Sequence, residues 1–245
     1  MYGVILAAGM AKRLRPLTDN KPKCLLNVAG RTLLGRTVDA MMETGIKEFV
    51  VVTGYCADQI RGFISAQYGA LPSNPVFHFI HNDGYEHNNN IYSLWLAGRV
   101  VRGHEFLLMD SDILCAPETV GAIARQSGSA LAVNRHELGD EEMKVVVDHD
   151  MHITAISKAC CPADALGESV GIEKFTAAYS EALFRELGQM IEREGLIDIF
   201  YERAFERLIP QGHTFRVVDT TAFFSYEIDT PEDYERAQHL FATSQ

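Results

Sequence analysis

A glycine and several cationic side chains follow the first apolar run of this chain. The segment reads Leu6-Ala-Ala-Gly9-Met-Ala-Lys-Arg13-Leu-Arg-Pro-Leu-Thr18, and Lys21-Pro-Lys23 comes directly after it. Glycine lets a backbone approach a ligand closely, arginine can bind phosphate oxygens bidentately, and lysine acts as a point charge. The pattern predicts a loop that encloses a phosphate-bearing anion; the alternative is a surface loop with solvated charges. The spacing matches neither G-x-x-x-x-G-K-[ST] nor G-x-G-x-x-G.

A pair of carboxylates, Asp110 and Asp112, follows a second apolar run at residues 106–109. Two carboxylates two residues apart at the end of a buried strand can supply the oxygen ligands that a hard cation prefers. A turn or a helix cap is the alternative for this motif. A polyphosphate needs Mg²⁺ to offset its charge, so the cationic loop and the acidic pair support each other.

An amide-rich and aromatic segment reads Asn88-Asn-Asn90-Ile-Tyr92-Ser-Leu-Trp95. On a helix, Asn88, Tyr92 and Trp95 share a face. Amide side chains can bind polar groups, and aromatic faces attract ammonium groups. The alternative is a helix cap followed by aromatic residues of the core.

A helix-start motif lies near the end of the chain, in Tyr226-Glu-Ile-Asp229-Thr-Pro-Glu-Asp-Tyr234. Thr230 is placed to be the N-cap, with Pro231 at the first helical position and Asp233 three residues after the cap. The segment therefore predicts the beginning of a C-terminal helix.

The elements that must position these residues alternate in the first half of the chain. Apolar runs predict strands at residues 2–8, 48–53, 76–81 and 105–109, and helical spacing predicts helices at 32–44, 57–68 and 90–98, with a long loop at 9–26. This order predicts an α/β, Rossmann-like fold with a mixed, mainly parallel sheet and helices on both faces. Ligands of such sheets collect beyond the carboxyl ends of the strands, and the Gly9 loop, Gly54, the Asn88 segment and the pair of Asp110 and Asp112 each follow a predicted strand.

The second half has a different pattern. Short alternating runs at 130–134, 144–148 and 152–157 predict antiparallel strands with a turn at residues 149–150, and strands are also predicted at 215–219 and 223–228. An amphipathic helix is predicted at 179–194, followed by residues 197–208. We expect one domain over residues 1–245 with a small antiparallel C-terminal subregion.

Composition excludes several function classes. The net charge of −11 over 245 residues argues against nucleic-acid binding, which requires a basic face. The chain has no apolar stretch near the ~20 residues of a membrane helix, so no membrane partner is expected. Five cysteines, an odd number, fit reduced thiols and predict a cytoplasmic protein. The nine histidines form no zinc-binding pattern.

The Gly9 loop with the Pro22-Lys23 pair closely resembles the signature of nucleotidyltransferases, the sugar-phosphate nucleotidylyltransferases and their cytidylyltransferase relatives. The resemblance implies a nucleotide-diphospho-sugar transferase-like fold, with a nucleotide-binding half at 1–115 and an acceptor-binding half at 116–245. It implies Mg²⁺ as cofactor, a loop around a nucleoside triphosphate, and a metal site that Asp229 closes from the far side. The implied residues are Leu6, Ala7, Ala8, Gly9, Asn82 and Asn88 for the nucleotide, Arg13 and Lys23 for catalysis, and Asp110, Asp112 and Asp229 for the metal.

The Asn-Asn-Ile-Tyr-Ser-Leu run resembles the bacterial choline-phosphate cytidylyltransferases, whose relatives act on 2-aminoethylphosphonate and inositol phosphate. This implies transfer of CMP from CTP to phosphocholine or a related amino-alcohol phosphate or phosphonate, with release of pyrophosphate. The implied acceptor-binding residues are Asn89, Tyr92, Trp95, Lys144, Glu168 and Glu173; for the last three, an exposed lysine and hairpin-edge glutamates are the alternative. The other hypotheses are a sugar 1-phosphate or inositol 1-phosphate nucleotidylyltransferase and a non-catalytic nucleotide-sensing domain.

Overall fold

A central sheet organises the computed structural model of the chain, which describes residues 1–243. The strands of this sheet are β1 (Tyr2–Ala7), β4 (Glu48–Thr53), β5 (Val76–His81), β6 (Phe106–Asp110), β8 (Ala130–Asn134), β9 (Lys144–Val147), β10 (Ile153–Ser157), β11 (Gly167–Phe175) and β12 (Arg216–Asp219). Two separate antiparallel pairs are formed by β2 (Asn27–Val28) with β3 (Arg31–Thr32) and by β7 (Ile113–Cys115) with β13 (Ser225–Glu227). The helices are α1 (Leu33–Glu43), α2 (Ala57–Tyr68), α3 (Asn90–Val101), α4 (Pro117–Ala124), α5 (Ala177–Gly188), α6 (Glu202–Leu208) and α7 (Pro231–Thr243). A π-helical turn at Gln189–Arg193 follows α5, and short 3-10 turns include Lys12–Leu14 and Lys23–Leu25.

The sheet has a parallel part and an antiparallel part. Strands β5, β4, β1 and β6 are adjacent and parallel, and Val4 of β1 lies opposite Val50 on one side and Leu108 on the other. Strand β11 adds antiparallel to β6, and it then pairs with β8 and β9 across a register shift. The hairpin of β9 and β10 and the strand β12 complete the sheet. The predicted mixed, mainly parallel sheet is confirmed.

Successive side chains of β1 enter two different hydrophobic cores. Val4 and Leu6 pack in a core with residues of α3 and α5, while Ile5 and Ala7 pack in a core with residues of α1 and α2. Side chains alternate between the two faces of a strand, so a strand that is apolar at every position must be covered on both faces. This is the arrangement that the continuous apolar run predicts.

The sequence patterns predicted some elements closely and missed others, including the short strands β2, β3 and β7. Strands β4, β5 and β8 and helix α2 have the predicted bounds, but no element was predicted for α4 or β11. Strand β11 contains two glycines and several polar residues, and its strand conformation depends on pairing with β6, β8 and β9. Its two glutamates, Glu168 and Glu173, do not lie at the edge of a hairpin, because each is paired with a strand on both sides.

The C-terminal motif reaches the centre of the molecule through a short antiparallel pair. Strand β13 pairs with β7, with Glu227 opposite Ile113, and the N–H of Ile228 donates a hydrogen bond to the carbonyl of Asp112 at 3.2 Å. These contacts place residues 227–229 beside the end of β6, although they lie more than a hundred positions away in the sequence.

Two further expectations concern membrane helices and cysteines. Among the described residues, no helix combines the length and the apolar character that crossing a membrane requires. All five cysteines lie in the described part and are free thiols. Burial raises the pKa of the Cys24 and Cys115 thiols to about 12, so both remain protonated and act as small apolar residues.

Candidate active site

A cleft of about 880 Å³ opens at the carboxyl ends of β1, β5 and β6. Small-molecule sites typically enclose ~300–1,000 Å³, so the cleft has room for a nucleotide and a second small ligand. The predicted residues that line it are Leu6, Ala7, Ala8, Gly9, Arg13, Lys23, Asn82, Asn88, Asn89, Asp110, Asp112, Glu168 and Asp229.

The backbone that follows β1 forms one wall of the cleft. A Cβ atom added to Gly9 would meet no atom within 4 Å, so the space beside Gly9 is open to the cleft. A Cβ atom on Gly54, at the end of β4, would lie 2.6 Å from the carbonyl oxygen of Ala8 and 2.8 Å from the Cβ of Tyr85. The N–H of Tyr55 also donates to the carbonyl of Ala8 at 3.0 Å. The glycine at position 54 therefore allows the close approach that positions the Gly9 loop.

Two local interactions shape the rest of this loop. Ala11 has a left-handed backbone (φ 46°), which costs roughly 1–2 kcal/mol for a residue with a side chain. The Thr18 hydroxyl donates to the carbonyl of Ala11 at 2.9 Å, and Leu14 is fully buried in a hydrophobic cluster with Leu114 and Ile228. These contacts offset the strain, and they leave the Arg13 side chain, 72% exposed, at the mouth of the cleft.

Lys23 connects the loop to the acidic residues. Its ammonium donates to Oδ2 of Asp112 at 3.0 Å and to Oδ1 of Asp229 at 2.7 Å, and Arg13 donates to Oδ2 of Asp229 at 2.5 Å. Burial alone would lower the pKa of Lys23, but the charges of Asp112 and Asp229 reverse this and raise it. Lys23 is therefore a fixed positive charge.

Three carboxylates beside Lys23 form a possible metal site, which we call the carboxylate triad. One oxygen each of Asp112, Glu227 and Asp229 lies within 4.8 Å of the others. Carboxylate oxygens are the ligands that Mg²⁺ prefers, so the donor set fits this ion. Enclosure in the cleft, together with the charges of Asp112 and Asp229, raises the pKa of Glu227 to about 8. This crowding of negative charge favours a cation.

Glu227 was missed by the sequence analysis, although a signal was present. Glu227 lies near the end of the strand predicted at residues 223–228, two residues before Asp229. Residues at this spacing share a face of an extended segment. The cap of the C-terminal helix is formed by the neighbours of Asp229 and not by Asp229 itself. Asp233 accepts hydrogen bonds from the backbone N–H and the hydroxyl of Thr230, and its own N–H donates to that hydroxyl. The Asp229 side chain is therefore left for the cleft.

Asn82 and Asn88 form a reciprocal amide pair. Nδ2 of Asn82 donates to Oδ1 of Asn88 at 2.8 Å and to the Ser93 hydroxyl at 3.1 Å, and Oδ1 of Asn82 accepts from Asn88 at 3.0 Å and from the N–H of Gly84 at 3.1 Å. All hydrogen-bonding positions of the Asn82 amide are thereby used, whereas Asn88 keeps a second N–H. The geometry makes Asn82 a positioning residue for Asn88.

Asp110 lies in a different environment from the carboxylate triad. Its Oδ2 accepts a hydrogen bond from the Tyr201 hydroxyl at 3.0 Å. Burial, with the charges of Asp112 and Glu202, raises the pKa of Asp110 well above its usual range. Asp110 is not among the carboxylates whose oxygens lie within 4.8 Å of one another, so its metal role stays a prediction.

Two predicted acceptor residues of α3 do not line the cleft. The rings of Tyr92 and Trp95 contact each other, with centroids 5.2 Å apart, and both pack against the core that contains α3 and α5. Trp95 instead borders a small surface depression with Arg99, Arg102 and Phe184. Here the alternative interpretation, a helix cap followed by core aromatics, describes the geometry: Asn89 caps α3 through a 2.8 Å hydrogen bond from the N–H of Asn90.

Lys144 and Glu173 are buried away from the cleft surface. The Lys144 ammonium donates to the carbonyls of Gly139 at 2.8 Å and Glu142 at 3.2 Å, so it holds the segment before β9. Glu173 is 0% exposed, in the middle of β11. Neither residue is the exposed lysine or hairpin-edge glutamate of the alternative interpretation.

Other charged residues of the second half do line the cleft. Lys158 was missed; its ammonium lies 5.2 Å above the Phe200 ring and 3.3 Å from Oε2 of Glu141. Glu168 also faces the cleft and lies 2.8 Å from Nε2 of His136. The cationic side chain in this part of the cleft is thus that of Lys158, which no motif had marked.

The chain is similar in sequence and in fold to nucleotidyltransferases. A family model described as the MobA-like NTP transferase domain matches residues 3–208. The solved structure of a CTP:phosphocholine cytidylyltransferase from Streptococcus pneumoniae superimposes with a TM-score of 0.79 at 22% identity, covering 98% of each chain. At this identity the likeness concerns the fold.

Two curated proteins match almost the whole chain. CMP-5'-(3-aminopropyl)phosphonate synthase from Streptomyces rubellomurinus is 27% identical over 250 residues, which cover 98% of this chain and 38% of that protein. The bifunctional IPC transferase and DIPP synthase from Aquifex aeolicus is 29% identical over 238 residues, which cover 96% of this chain and 50% of that protein. The chain therefore spans half or less of the length of these two relatives.

Proposed function

Because the chain belongs to the family of MobA-like NTP transferase domains, we propose that it transfers CMP from CTP to a small phosphorylated or phosphonate amino alcohol. The observation that carries this proposal is the meeting of four side chains in one cleft. Arg13 and Lys23 of the Gly9 loop contact the carboxylates of Asp112 and Asp229, which follow strands far apart in the sequence. Cations and carboxylates at this density suit a triphosphate with its metal ion.

The reaction needs no general base. An oxygen of the acceptor's phosphate or phosphonate, already anionic, attacks the α-phosphorus of CTP. A new P–O bond forms, the bond from the α-phosphorus to its bridging oxygen breaks, and pyrophosphate leaves with the electron pair. Catalysis then consists of positioning the two anions and stabilising the charge that develops.

The residues around the triphosphate have distinct roles in this proposal. The N–H groups of the Gly9 loop and the Arg13 guanidinium bind the triphosphate, and Lys23 stabilises negative charge on the phosphates and the leaving pyrophosphate. Asp112, Glu227 and Asp229 would hold Mg²⁺, which neutralises phosphate charge when it is bound. Asn88, held by Asn82, offers its free N–H to the nucleotide.

Lys158 supplies the positive charge for the acceptor phosphate. The sequence resemblance had implied Lys144, but the Lys144 ammonium is occupied by two carbonyls. Lys158 lines the cleft instead. Its contact with Glu141, whose side chain is 91% exposed, is a surface ion pair that an incoming phosphate can replace at little cost.

The choice of cytosine and of the acceptor class draws on the relatives. The name of the Streptomyces protein contains both CMP and an aminoalkyl phosphonate, and the pneumococcal structure is that of a CTP:phosphocholine cytidylyltransferase. Inositol 1-phosphate and sugar 1-phosphates are the alternative acceptors. The cytoplasmic location predicted from the cysteines belongs to the same proposal.

Pyrophosphate release tests the function. The protein is incubated with Mg²⁺ and each of CTP, UTP, dTTP and GTP, against phosphocholine, 2-aminoethylphosphonate, inositol 1-phosphate and glucose 1-phosphate. We expect release with CTP and an amino-alcohol phosphate or phosphonate. Reaction of sugar phosphates alone with UTP or dTTP would show that the acceptor and base are wrong, and nucleotide binding without any release would indicate a sensing domain.

A further inference from the structure

The floor of the cleft contains a second group of acidic side chains besides the carboxylate triad. Asp110 and Glu202 both line the cleft. Asp110 lies two residues before Asp112 at the end of β6, so this floor adjoins the triad. We call Asp110 and Glu202 the acidic floor.

Glu202 is unusual among the carboxylates of the cleft. The residue is only 7% exposed, and its Oε2 is buried without a hydrogen-bond partner. The carboxylates of Glu142 and Glu168, by contrast, are satisfied by the N–H of Gly139 and by His136. A buried carboxylate oxygen without a partner is costly, which indicates that a donor is missing from this position.

The fold holds Glu202 firmly at this place. It is the first residue of α6, and the N–H of Tyr201 donates to Oδ1 of Asn90 at 3.0 Å, which joins α6 to the start of α3. The fully buried Tyr201 also donates its hydroxyl to Asp110. Both carboxylates of the acidic floor are therefore preorganised.

No positive side chain of the protein satisfies Glu202 in the described residues. Lys158 is near enough to lower the pKa of Glu202, yet burial has the larger effect and raises that pKa to about 7. The Lys158 ammonium contacts Glu141 and the Phe200 ring instead. A ligand can thus supply the missing positive charge.

The number of hydrogen-bond donors decides which kind of cation suits Glu202. A primary ammonium has three N–H donors for carboxylate oxygens, whereas a trimethylammonium has none and is held by aromatic faces. The aromatic pair of Tyr92 and Trp95 does not line the cleft, and the Phe200 ring already contacts the ammonium of Lys158. The ring of Tyr85, which does line the cleft, packs against Tyr55 after β4. A sugar or polyol hydroxyl could donate to Glu202 but would leave its charge uncompensated.

From these observations we infer that Glu202, with Asp110, binds the primary ammonium group of an acceptor whose phosphate or phosphonate lies beside the carboxylate triad. The inference rests on the proposed nucleotidyl transfer and narrows its acceptor to short primary amines. Because Asp110 and Asp112 are two residues apart, we expect a short chain between the ammonium and the reacting phosphate.

The test compares three ligands and two variants. The ligands are 2-aminoethylphosphonate, phosphocholine and ethylphosphonate, which carry a primary ammonium, a trimethylammonium and no charge at the same end. Glu202→Gln removes the charge of the acidic floor while it keeps the size of the side chain. Glu206→Gln is the matched control, because Glu206 lies one turn further along α6 and pairs with Arg203.

Acceptor binding is measured by calorimetry with Mg²⁺ and a non-hydrolysable CTP analogue, alongside KM from pyrophosphate release. We expect the wild type and Glu206→Gln to bind 2-aminoethylphosphonate at least about tenfold more tightly than the other two ligands, and Glu202→Gln to lose this preference. Equal binding of phosphocholine, or an unchanged preference in Glu202→Gln, would overturn the inference even where pyrophosphate is released. A protein that releases no pyrophosphate with any acceptor would refute the proposed function, and the calorimetry would still decide the ammonium site.

Discussion

The ammonium of Lys23 lies 2.7 Å from Oδ1 of Asp229, across a sequence separation of 206 residues. The same ammonium lies 3.0 Å from Oδ2 of Asp112. These contacts join the two ends of the chain in one site and couple the proposed phosphate-binding cation to the proposed metal ligands. Removing one partner of a buried ion pair leaves the other charge uncompensated.

Lys23→Ala should lower kcat by about 100-fold or more, which is the typical effect of losing one preorganised charge that stabilises a transition state. The measurement is pyrophosphate release at saturating CTP and Mg²⁺. Lys21→Ala is the matched control, because Lys21 is an exposed lysine of the same loop. Near-normal turnover in Lys23→Ala would remove Lys23 from the proposed mechanism.

Gly54→Ala should raise the KM for CTP and lower the thermal stability. The added Cβ atom would meet the Ala8 carbonyl at 2.6 Å, so the Gly9 loop or β4 has to shift. Gly62→Ala is the control: Gly62 lies within α2, where a Cβ meets nothing within 4 Å, and the change should stabilise by about 0.5–1 kcal/mol. Calorimetric titration of CTP and thermal melting measure both effects, and equal behaviour of the two variants would contradict the role of Gly54.

The metal-free and ligand-free protein should become less stable as the pH rises from 6 to 8.5. The folded pKa of Glu202 is raised to about 7 and that of Glu227 to about 8, whereas the unfolded chain has ordinary glutamate values of about 4.3. The folded state therefore binds more protons than the unfolded state between these values, and stability falls with rising pH across that window.

Glu202 provides a control for this pH dependence. The rise of its pKa from the ordinary glutamate value to about 7 corresponds to roughly 3 kcal/mol. Glu202→Gln has no such group to ionise, so its melting temperature should fall less between pH 6 and 8.5. Differential scanning fluorimetry at constant ionic strength measures both proteins, and a wild-type melting temperature that rises over this range would disprove the expectation.

Lys144→Met and Lys158→Met should affect different properties, the first the thermal stability and the second the KM for the acceptor. Lys144→Met leaves the Gly139 and Glu142 carbonyls without their donor, so we expect a lower melting temperature. Lys158→Met should chiefly raise the KM for the acceptor, because its side chain lines the cleft. A larger rise in acceptor KM for Lys144→Met than for Lys158→Met would restore the assignment implied by the sequence resemblance.

Much of the fold was predictable because it depends on local periodicity. Strands β4 and β5 and helix α2 have the bounds that apolar patterning predicted. Strand β11 was not predicted, because its conformation depends on pairing with three partner strands. Tyr92 and Trp95 show the same limit: helical spacing places them on one face, but the spacing does not say whether that face meets the core or the cleft.

The sequence by itself determined the mixed, mainly parallel α/β fold, because that fold follows from local apolar periodicity. Its compact motifs and their resemblance to a known family singled out Arg13, Lys23, Asp112 and Asp229 as candidate site residues. Only the tertiary structure decided which charges meet. The pairing of β13 with β7 brings Glu227 to the carboxylate triad, and the joint between α3 and α6 brings Glu202 to the acidic floor. Electrostatic interactions and burial depend on distances through space, and sequence separation does not reveal those distances.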